Sequence, residues 1–575
     1  MPPKIKQKPS DQGFGSTDEL IKFRQHLDGR LGGLTVDRWS WWIHWQELAR
    51  YLLPRRYLWT SVPTPNRANR GSPINQSIID NTGTISLRVL SAGMMSGMTN
   101  PTTVWFRLTL DDTDLAEFYA VKEWLDEVAK RMRTVFAESN FYTSLGTLYE
   151  DLGSFGTGVM IIYEDFEDVI RCYNTCAGEY YLANSDRMAI DTMYRMFTLT
   201  TTQTAAKFGL ANTSPTVQQA LKQKGAGMSR EIVVSHAVEP NDEMTERMPG
   251  MKGKAYREAY WEWGSQQQRL LRLRGFHENP VVAGRWSMFA NDPYGRSPGM
   301  DALGDIKQLQ VEQKRKAQAI DKMVNPPMVA DVQLKNEPAS FISGGVTYVQ
   351  MQQGGKSSFA PVYEVKPDLS QMVEDIREVQ GRIKTAFFEP LFLMWAQMEG
   401  VQPRNELEII ERKGEQLIQL GPVLERFENE VLDPAIERTF NIMLRAGLLP
   451  PPPPELRGQH VKTEYVSMLA QAQKAAMTTG LEQLAGFAGR LIAVNPEIAD
   501  NVDWDEALQK YAEYIAVPVK VLRPYGDVLK IRQQRAQKEQ AEAAMNAAMA
   551  TVQGAKVLSE TQVGQGANAL EAIAQ

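Results

Sequence analysis

Five consecutive prolines at positions 450–454 constrain the fold of this chain more than any other feature of its sequence. Proline lacks the backbone N–H that helices and central strands require, and a run of prolines adopts an extended conformation without internal hydrogen bonds. A segment of helical periodicity, residues 405–449, ends at this run; Pro422 and Pro434 are expected to kink it and Gly447 to cap it. We therefore predict a domain boundary here, as expected for a chain too long for one hydrophobic core.

The chain begins with a polar arm, residues 1–15, which we expect to be flexible. Helical periodicity follows over residues 16–54, and the adjacent glycines Gly32 and Gly33 are expected to divide this segment into two helices. Three tryptophans recur in it at helical spacing and predict one buried helix face: Trp39, Trp42 and Trp45.

Residues 105–280 mix helical and strand periodicity, which indicates an α+β region. A helix is predicted over 120–139, where apolar residues recur every three or four positions. Runs rich in β-branched and aromatic residues predict strands at 156–165, 179–183, 193–200 and 231–238.

A helix, a small β module and a second helix come next. A Ser-Pro dipeptide begins the first helix, 297–324, because proline is favoured at the first helical position. Strand-like runs lie at 345–351 and 358–365, before the second helix at 370–388. The following segment, 389–404, is poor in helix signals. These patterns predict a compact helix–β–helix excursion, a segment that leaves a larger domain and returns to it.

Beyond the prolines the sequence predicts only helices. Three helical runs at 462–476, 481–494 and 504–516 are separated by Gly, Pro and Asn. From residue 528 the chain is rich in Ala, Gln, Glu and Lys and has few large apolar residues. A helix of that composition buries little surface alone, so we expect it to be frayed or packed against copies of itself.

Two glycine-containing segments imitate nucleotide-binding motifs. Residues 354–357 read GGKS, but a phosphate-binding loop also needs a glycine at position 350, where glutamine stands, so we predict a hairpin turn. Gly153, Gly156 and Gly158 have the wrong order for a dinucleotide fingerprint and are interpreted as turn glycines between a helix and a strand.

The sequence also lacks a recognisable metal or catalytic constellation. Its only cysteines, Cys172 and Cys176, cannot build a disulfide framework, and tetrahedral zinc would need two further ligands. The five histidines are scattered, and acidic pairs such as Glu164-Asp165 have no neighbouring partner that would shift their pKa values. We predict no enzyme, no bound metal and no cofactor.

Charge and hydropathy limit the possible partners. The formal net charge is −6, whereas proteins that grip duplex DNA tightly are usually basic. This argues against a sequence-reading DNA binder but leaves a conduit possible, since a conduit must let DNA slide. The longest uncharged stretch near the N-terminus, 89–106, is too polar to span a bilayer as a helix, and another, 390–398, is too short, so no membrane segment is predicted.

An ordered series of short segments runs from about residue 20 to residue 530, and its order is more specific than any one segment. Its members are WQELARYLLP at 45–54, IDNTG at 79–83, LSAGMMSGMTNP at 90–101, WFRL at 105–108, DLGSFGTG at 151–158, AGEYYLA at 177–183, Arg285-Trp286, YGRSPG at 294–299, DIK at 305–307, GPVL at 421–424 and GLLP at 447–450. Together these segments resemble the head-to-tail connector, or portal, family of short-tailed bacteriophages.

The resemblance implies a predominantly helical α+β portal fold with wing, stem, clip and helical crown or barrel, and a subunit that forms rings. The segments of this chain would then be the N-terminal arm 1–15, the wing 16–296, the first stem helix 297–324, the clip 325–369, the second stem helix 370–388, the tunnel loop 389–404, the long wing helix 405–449, the crown 455–527 and the C-terminal barrel helix 528–575.

The resemblance also implies partners and a location. The ring, a dodecamer in this family, would be made in the host cytoplasm, would nucleate head assembly and would occupy the portal vertex of the virion. It would contact the major capsid protein, the scaffolding protein, the terminase large subunit, a head-tail adaptor and internal core proteins. Double-stranded DNA would pass through it without sequence recognition during packaging and ejection.

Candidate channel residues follow from this layout. Basic side chains on the stem and loop would guide DNA, although salt bridges between subunits or simple solvation would explain them equally well. Loop residues with apolar or amide side chains would either touch DNA or pack on the next subunit. The basic candidates are Lys307, Lys314, Arg382, Lys384 and Arg404; the loop candidates are Trp395, Met398 and Gln402; and the clip candidates for terminase or adaptor docking are Lys335, Tyr348, Lys356 and Tyr363.

Two other classes of protein remain as alternatives. A different head or tail structural component would share the composition, but the helix–β–helix excursion favours a portal. A soluble α+β enzyme with a regulatory helical tail would need a nucleotide or metal site, for which the sequence has no motif.

Overall fold

In the computed structural model the chain divides into two compact units at the proline run, because Val128–Pro450 belongs to unit one and the chain enters unit two at Pro451. This division falls at the proline run, although unit two also includes Leu108–Glu127 and unit one also includes Thr463–Ala472. The assignment of domains stays a prediction. Apart from a few single residues, the structure describes 17–56, 75–112, 118–223, 225–242, 253–265, 269–324, 328–330, 359–361, 369–396, 420–456, 461–465, 480–491, 500–514 and 525–560.

Helices and strands both occur in the described residues, in agreement with the predicted α+β class. The helices are α1 Thr17–Tyr51, α2 Thr82–Met98, α3 Tyr119–Glu138, α4 Phe141–Phe155, α5 Thr201–Phe208, α6 Pro215–Lys222, α7 Pro298–Val324, α8 Leu369–Ala386, α9 Glu389–Ala396, α10 Asp433–Arg445, α11 Trp504–Tyr514 and α12 Tyr525–Glu560. The strands are β1 Phe106–Leu110, β2 Thr157–Asp165, β3 Val169–Thr175, β4 Tyr180–Asn184, β5 Ile190–Thr200, β6 Glu231–Pro240, β7 Tyr256–Glu262, β8 Arg272–Phe276, β9 Val281–Arg285, β10 Met328–Ala330, β11 Phe359–Pro361 and β12 Val461–Tyr465.

Two antiparallel sheets form the centre of unit one. Strands β4, β5, β6, β7 and β8 lie side by side in that order, and β3, β2 and β9 form a second sheet. The four strands predicted from sequence periodicity correspond to β2, β4, β5 and β6 and are confirmed. Between α4 and β2, Gly156 has a left-handed backbone (φ 76°), as expected of a turn glycine.

Helix α1 covers one face of the five-stranded sheet. Leu27, Leu31 and Leu34 are buried against Tyr194 and Trp261 of the sheet. Burial at positions three or four apart fixes one side of the helix to the sheet along its length.

The expectation that Gly32 and Gly33 divide this helix is wrong, because Thr17–Tyr51 is one continuous helix. Each glycine costs a helix about 1 kcal/mol relative to alanine, and the burial of the α1 leucines outweighs that cost. Trp42 and Trp45 are buried as predicted, but Trp39 is exposed. The tryptophan spacing therefore identifies the buried face only in part.

A buried polar network occupies the opposite face of the five-stranded sheet. The His236 ring accepts a hydrogen bond from Arg195 Nε at Nδ1 (3.0 Å), so its Nε2–H donates to Glu258 Oε1 (2.9 Å). Burial lowers the pKa of His236 to about 3, so the ring is neutral. Glu258 also accepts a hydrogen bond from Tyr163 of β2 (2.6 Å), which joins the two sheets.

The predicted helix–β–helix excursion is present where the structure describes it. Helix α7 begins one residue after its predicted start and ends at the predicted residue 324, and α8, predicted over 370–388, spans Leu369–Ala386. The short strands β10 and β11 pair antiparallel between the two helices. The prediction of few helical residues over 389–404 is wrong for its first half, because Glu389–Ala396 forms α9. The assignment of that segment to a tunnel loop stays a prediction.

The long helix before the prolines is interrupted as its prolines predict. Helical residues from 420 pass through a π-helical turn, Glu428–Leu432, and α10 begins at Asp433, next to Pro434. At its end Gly447 has a left-handed backbone (φ 68°) and donates to the carbonyl of Leu444 (3.1 Å), so the predicted glycine cap is confirmed.

Unit two contains α11, α12 and the helical residues 480–491. Arg532 of α12 makes two hydrogen bonds to the Asp505 carboxylate of α11 (2.6 and 2.7 Å). The prediction of an all-helical tail is wrong at one place, because Val461–Tyr465 is the strand β12. Most of α12 is exposed, in keeping with its few large apolar residues.

Candidate functional site

The paired helices α7 and α8, with the surfaces of unit one that hold them, form the candidate site. Ile306 and Leu309 of α7 are buried, and so are Ile376, Val379 and Ile383 of α8. These apolar positions recur at helical spacing, and the two helices pack along them. Beyond Gln310 most of α7 is exposed or half-buried.

The turn that begins α7 is fixed to the β2 end of the sheet. The Ser297 hydroxyl donates to the Ser154 carbonyl (2.8 Å) and accepts from the Met300 amide (3.0 Å), which makes it the N-terminal cap of α7. Gly295 and Gly156 bring their backbones together so closely that a Cβ at Gly156 would lie 2.1 Å from the Gly295 carbonyl oxygen. A Cβ at Gly295 would in turn collide with the Gly156 carbonyl oxygen, so the YGRSPG segment needs its first glycine.

Arg285 joins the sheet to the π-helical turn before α10. Its buried guanidinium forms an ion pair with Glu430 (2.5 Å) and donates to the carbonyls of Met188 (2.8 Å) and Asp292 (3.1 Å). The Arg285 amide also donates to Glu430 Oε2 (2.9 Å). One side chain thus ties three separate segments of unit one together.

Two of the basic channel candidates have carboxylate partners within the same chain. Lys307 of α7 pairs with Glu47 of α1. Arg382 of α8 lies 3.3 Å from Asp305 of α7 and 3.6 Å from Glu378 of its own helix. Both residues therefore pair within one chain, and the alternative of salt bridges between subunits stays a prediction.

The third basic candidate, Lys384, lies 3.7 Å from the buried carboxylate of Glu389 at the start of α9. Glu389 also accepts a hydrogen bond from the Ser86 hydroxyl of α2 (2.5 Å). Further along α2, Gly93 leaves room for the Phe392 ring, which lies 2.1 Å from the place a Cβ would occupy. Helix α9 is therefore held on α2 by one polar and one apolar contact.

Asp80, in the IDNTG segment, connects the start of α2 to both long helices. Its carboxylate Oδ2 accepts hydrogen bonds from Gln313 of α7 (2.9 Å) and Gln380 of α8 (2.8 Å). Oδ1 accepts from the amide (2.9 Å) and hydroxyl (2.5 Å) of Thr82 at the start of α2. Gln310 of α7 exchanges hydrogen bonds with the Asp80 backbone (both 2.9 Å). We call this set of contacts the Asp80 junction.

Electrostatics favour the ionised form of Asp80. Partial burial opposes ionisation, but the hydrogen bonds from Thr82, Gln380 and Gln313 outweigh it and hold the pKa of Asp80 below its usual range. Sequence reasoning quoted the IDNTG segment without selecting Asp80. The sequence does contain a signal for such a partner. Gln310 and Gln313 stand on the same helix face as the apolar residues Leu303 and Ile306, and a polar side chain on a buried face needs a hydrogen-bond partner.

The remaining predicted site residues are distributed as follows. Lys314 is exposed on α7, and Trp395 belongs to α9, with its backbone helical. Seven candidates lie outside the described residues: Met398, Gln402, Arg404, Lys335, Tyr348, Lys356 and Tyr363. The GGKS segment, 354–357, lies outside them as well.

Groups with metal-binding chemistry are not clustered in the described part of the chain, where no set of three or more His, Cys, Asp or Glu side chains is placed to hold an ion. Cys172 and Cys176 are buried and unpaired with each other, and burial raises the pKa of each thiol to about 12. Such thiols stay protonated and inert as nucleophiles. Across the described helices, no stretch has the length and apolarity needed to cross a membrane.

Comparison with known proteins gives consistent matches over most of the chain. A family model described as "Bacteriophage head to tail connecting protein" matches residues 24–522. The chain is 42% identical over 556 residues to the "Portal protein" of Salmonella phage epsilon15, covering 96% of this chain and 98% of that protein. It is 41% identical over 521 residues to the "Probable portal protein" of Bordetella phage BPP-1, covering 90% and 92% of the two chains.

Proposed function

Because the chain belongs to the bacteriophage head-to-tail connecting protein family and is a portal protein, we propose that α7 and α8 form the wall of its DNA channel. The wall would guide duplex DNA during packaging and ejection without gripping it. The chain would perform no catalysis, and a separate terminase would supply the force. The observation that carries this proposal is the pairing of basic side chains on these helices with carboxylates of the same chain.

The numbers of charged residues on α7 and α8 support a channel wall along which DNA can slide. Helix α7 carries five basic and four acidic residues, and α8 carries three of each. The 27 residues of α7 span about 40 Å at a rise of about 1.5 Å per residue. Duplex DNA of that length carries about 24 phosphate charges. Twelve subunit walls, each with a net charge near +1, carry about +12 in total, so about half of the phosphate charges stay unpaired, which keeps the DNA mobile.

The remaining parts of the chain would serve the ring and its partners. We place the wing at 16–296 with the long helix 405–449, the clip at 325–369, the tunnel loop at 389–404 and the crown at 455–527. The C-terminal helix, from 528, would pack against its copies as a barrel. The clip would bind terminase and later the adaptor, and the outer wing would meet the capsid and scaffolding proteins. Internal core proteins would contact the head-facing end, at the portal vertex of the virion.

The purified chain is expected to assemble into rings with a hole wide enough for duplex DNA. Its mass in solution should be close to twelve times the 64.7 kDa of one chain. Negative-stain electron microscopy combined with light scattering would measure both quantities. A compact monomer that stays monomeric when scaffolding and capsid proteins are added would contradict the proposal.

Removing the carboxylate partners of Arg382 is expected to make the channel bind duplex DNA more tightly. The double change Asp305→Asn with Glu378→Gln removes both carboxylate partners of Arg382 and raises the net charge by two per subunit. Binding of duplex DNA to purified rings should become tighter. The dependence of log affinity on log salt should steepen by about 0.9 for each further phosphate neutralised. DNA packaging should slow in parallel.

The matched control also removes two negative charges per subunit, but at positions outside α7 and α8. Asp18→Asn with Asp186→Asn removes two exposed carboxylates that lie outside α7 and α8. That variant should bind and package DNA like the unmodified ring. Equal DNA affinity and salt dependence in the two double variants would show that the paired helices do not face the DNA.

A further inference from the structure

Positively charged side chains gather on the face of the five-stranded sheet that carries the His236 network. Arg195 of β5 pairs in register with His236 of β6. His236 pairs in turn with Tyr260 of β7, and Tyr260 with Arg272 of β8, so the four residues form one row across this face. Lys207, in the last turn of α5, lies next to the row, with its Nζ 5.0 Å from the centre of the Tyr260 ring.

Two aromatic side chains bring Lys207 close to both arginines. Lys207 Nζ and Arg195 Cζ lie 5.6 and 4.5 Å from the centre of the Phe197 ring. Lys207 Nζ and Arg272 Cζ lie 5.5 and 5.3 Å from the centre of the Phe208 ring. The Arg272 guanidinium also donates a hydrogen bond to the Lys207 carbonyl. Three cations from β5, α5 and β8 are therefore neighbours.

The carboxylate of Glu258 on the same face does not neutralise these three cations. Its Oε1 accepts hydrogen bonds from Tyr163 (2.6 Å) and Tyr260 (3.0 Å). The same oxygen accepts the bond from His236, and Oε2 forms an ion pair with Arg274. Both oxygens are thus occupied, and the cation that Glu258 neutralises is a fourth one, Arg274.

The other three cations have no counter-ion in the described part of the chain. No carboxylate there lies within ion-pair distance of Arg195, Lys207 or Arg272. Arg195 is only 7% exposed; its Nε donates to His236, and its two terminal nitrogens have no acceptor among the same residues. The buried Nε–H of Arg272 has none either. Because buried charges are normally paired, this part of the sheet lacks an anion.

The electrostatics of Lys207 agree with a missing negative charge. Partial burial lowers the pKa of Lys207 to about 8, and the charges of the neighbouring arginines act in the same direction. Glu258 opposes this effect without cancelling it. Glu179 and Glu258 also act on Arg195, but from beyond ion-pair distance. An anion bound among the three cations would bring the Lys207 pKa back toward its usual value.

We propose that Arg195, Lys207 and Arg272 bind a phosphate group, either inorganic phosphate or a phosphate monoester. Such a group carries about two negative charges at neutral pH and three or more acceptor oxygens. It can therefore serve donors from three elements, whereas a carboxylate offers one charge and two oxygens. Guanidinium groups bind phosphate with two parallel hydrogen bonds. The site includes no residue of α7 or α8, so its test is independent of the proposed channel.

Acylation of Lys207 tests the site, because only the neutral amine reacts. The purified protein is acetylated in chloride buffer and in phosphate buffer of equal ionic strength, and peptide mass spectrometry follows the reaction. Bound phosphate should move the midpoint of the pH profile of Lys207 upward from about 8. A rise of this pKa to about 9 would lower the acylation rate at pH 8 about fivefold. Adenosine monophosphate in place of inorganic phosphate distinguishes the two sources.

One internal reference and one pair of variants serve as controls. Lys222 is exposed in the last turn of the neighbouring helix α6, and its acylation rate in the same samples should not depend on phosphate. Arg272→Met removes one phosphate ligand and keeps Lys207, so phosphate should no longer protect this lysine. Arg187→Met changes an exposed arginine between β4 and β5 and should keep the protection.

Three results would overturn the proposed site. The first is a Lys207 acylation rate that neither inorganic phosphate nor adenosine monophosphate lowers in the unmodified chain. The second is equal protection of Lys207 in the unmodified chain and in Arg272→Met. The third is equal protection by duplex DNA at the same phosphate concentration. A phosphodiester carries a single charge, so that result would assign the three cations to a general DNA-binding surface.

Discussion

Replacing Arg285 by methionine is expected to lower the free energy of unfolding of unit one by about 3–5 kcal/mol, the usual cost of removing one partner of a buried ion pair. Methionine keeps most of the apolar volume but has no donors. The Glu430 carboxylate would lose its cation, and the carbonyls of Met188 and Asp292 would lose their hydrogen bonds. Because Arg285 joins the sheet to the turn before α10, the loss should weaken the whole unit.

Urea denaturation followed by tryptophan fluorescence would measure the change. The control is Arg296→Met, which removes an exposed arginine paired with Asp301 at 3.5 Å and should cost less than about 1 kcal/mol. Replacing Arg285 and Glu430 together by methionine should recover part of the loss, because no buried charge is then left unpaired. Equal, small losses for the two single arginine variants would contradict the role assigned to Arg285.

The features that sequence reasoning predicted correctly are those that depend on local chemistry. The start of α7 follows from a Ser-Pro dipeptide and the end of α10 from Gly447. Each is set by backbone geometry or by a hydrogen bond between residues a few positions apart. Such signals do not depend on what packs against the segment.

The errors occur where tertiary packing decides the outcome. The continuous helix through Gly32 and Gly33 depends on leucines that bind a sheet more than 150 residues away in the chain. Val461–Tyr465 has the alternating β-branched pattern of a strand, but the helical periodicity of the residues after it dominated the prediction. Helix α9 is apolar throughout, so its periodicity is weak, and contact with Gly93 of α2 holds it.

The same distinction applies to the candidate site. Arg382 and Glu378 are four residues apart on one helix, so their pairing could be predicted. Lys307 and Glu47 are 260 residues apart, and only the folded chain brings them together. Charge alone therefore selected candidate cations on these helices but could not tell a paired cation from a free one. For the same reason the Asp80 junction, whose members come from three distant segments, was not selected.

Replacing Asp80 by alanine is expected to loosen α8 and the start of α2 from α7, with a loss of about 2–3 kcal/mol in the free energy of unfolding of unit one. The change removes an acceptor that serves Gln313, Gln380 and both donor groups of Thr82. Amide hydrogen exchange should become faster in Leu369–Ala386 than in the sheet strands. The same substitution at Asp301, an exposed residue of α7, should leave exchange in α8 unchanged.

The pH dependence of the stability lost on replacing Asp80 tests whether the ionised carboxylate provides that stability. The pKa of Asp80 is lower in the folded chain than its ordinary value of 3.8, so ionised Asp80 stabilises the fold above that value. This stabilisation is lost as the pH falls through the folded-state pKa. The difference in stability between the unmodified protein and Asp80→Asn should therefore be largest near neutral pH and should shrink below about pH 4. If the difference stayed constant from pH 7 to pH 3, the junction would depend on the shape of the Asp80 side chain and not on its charge.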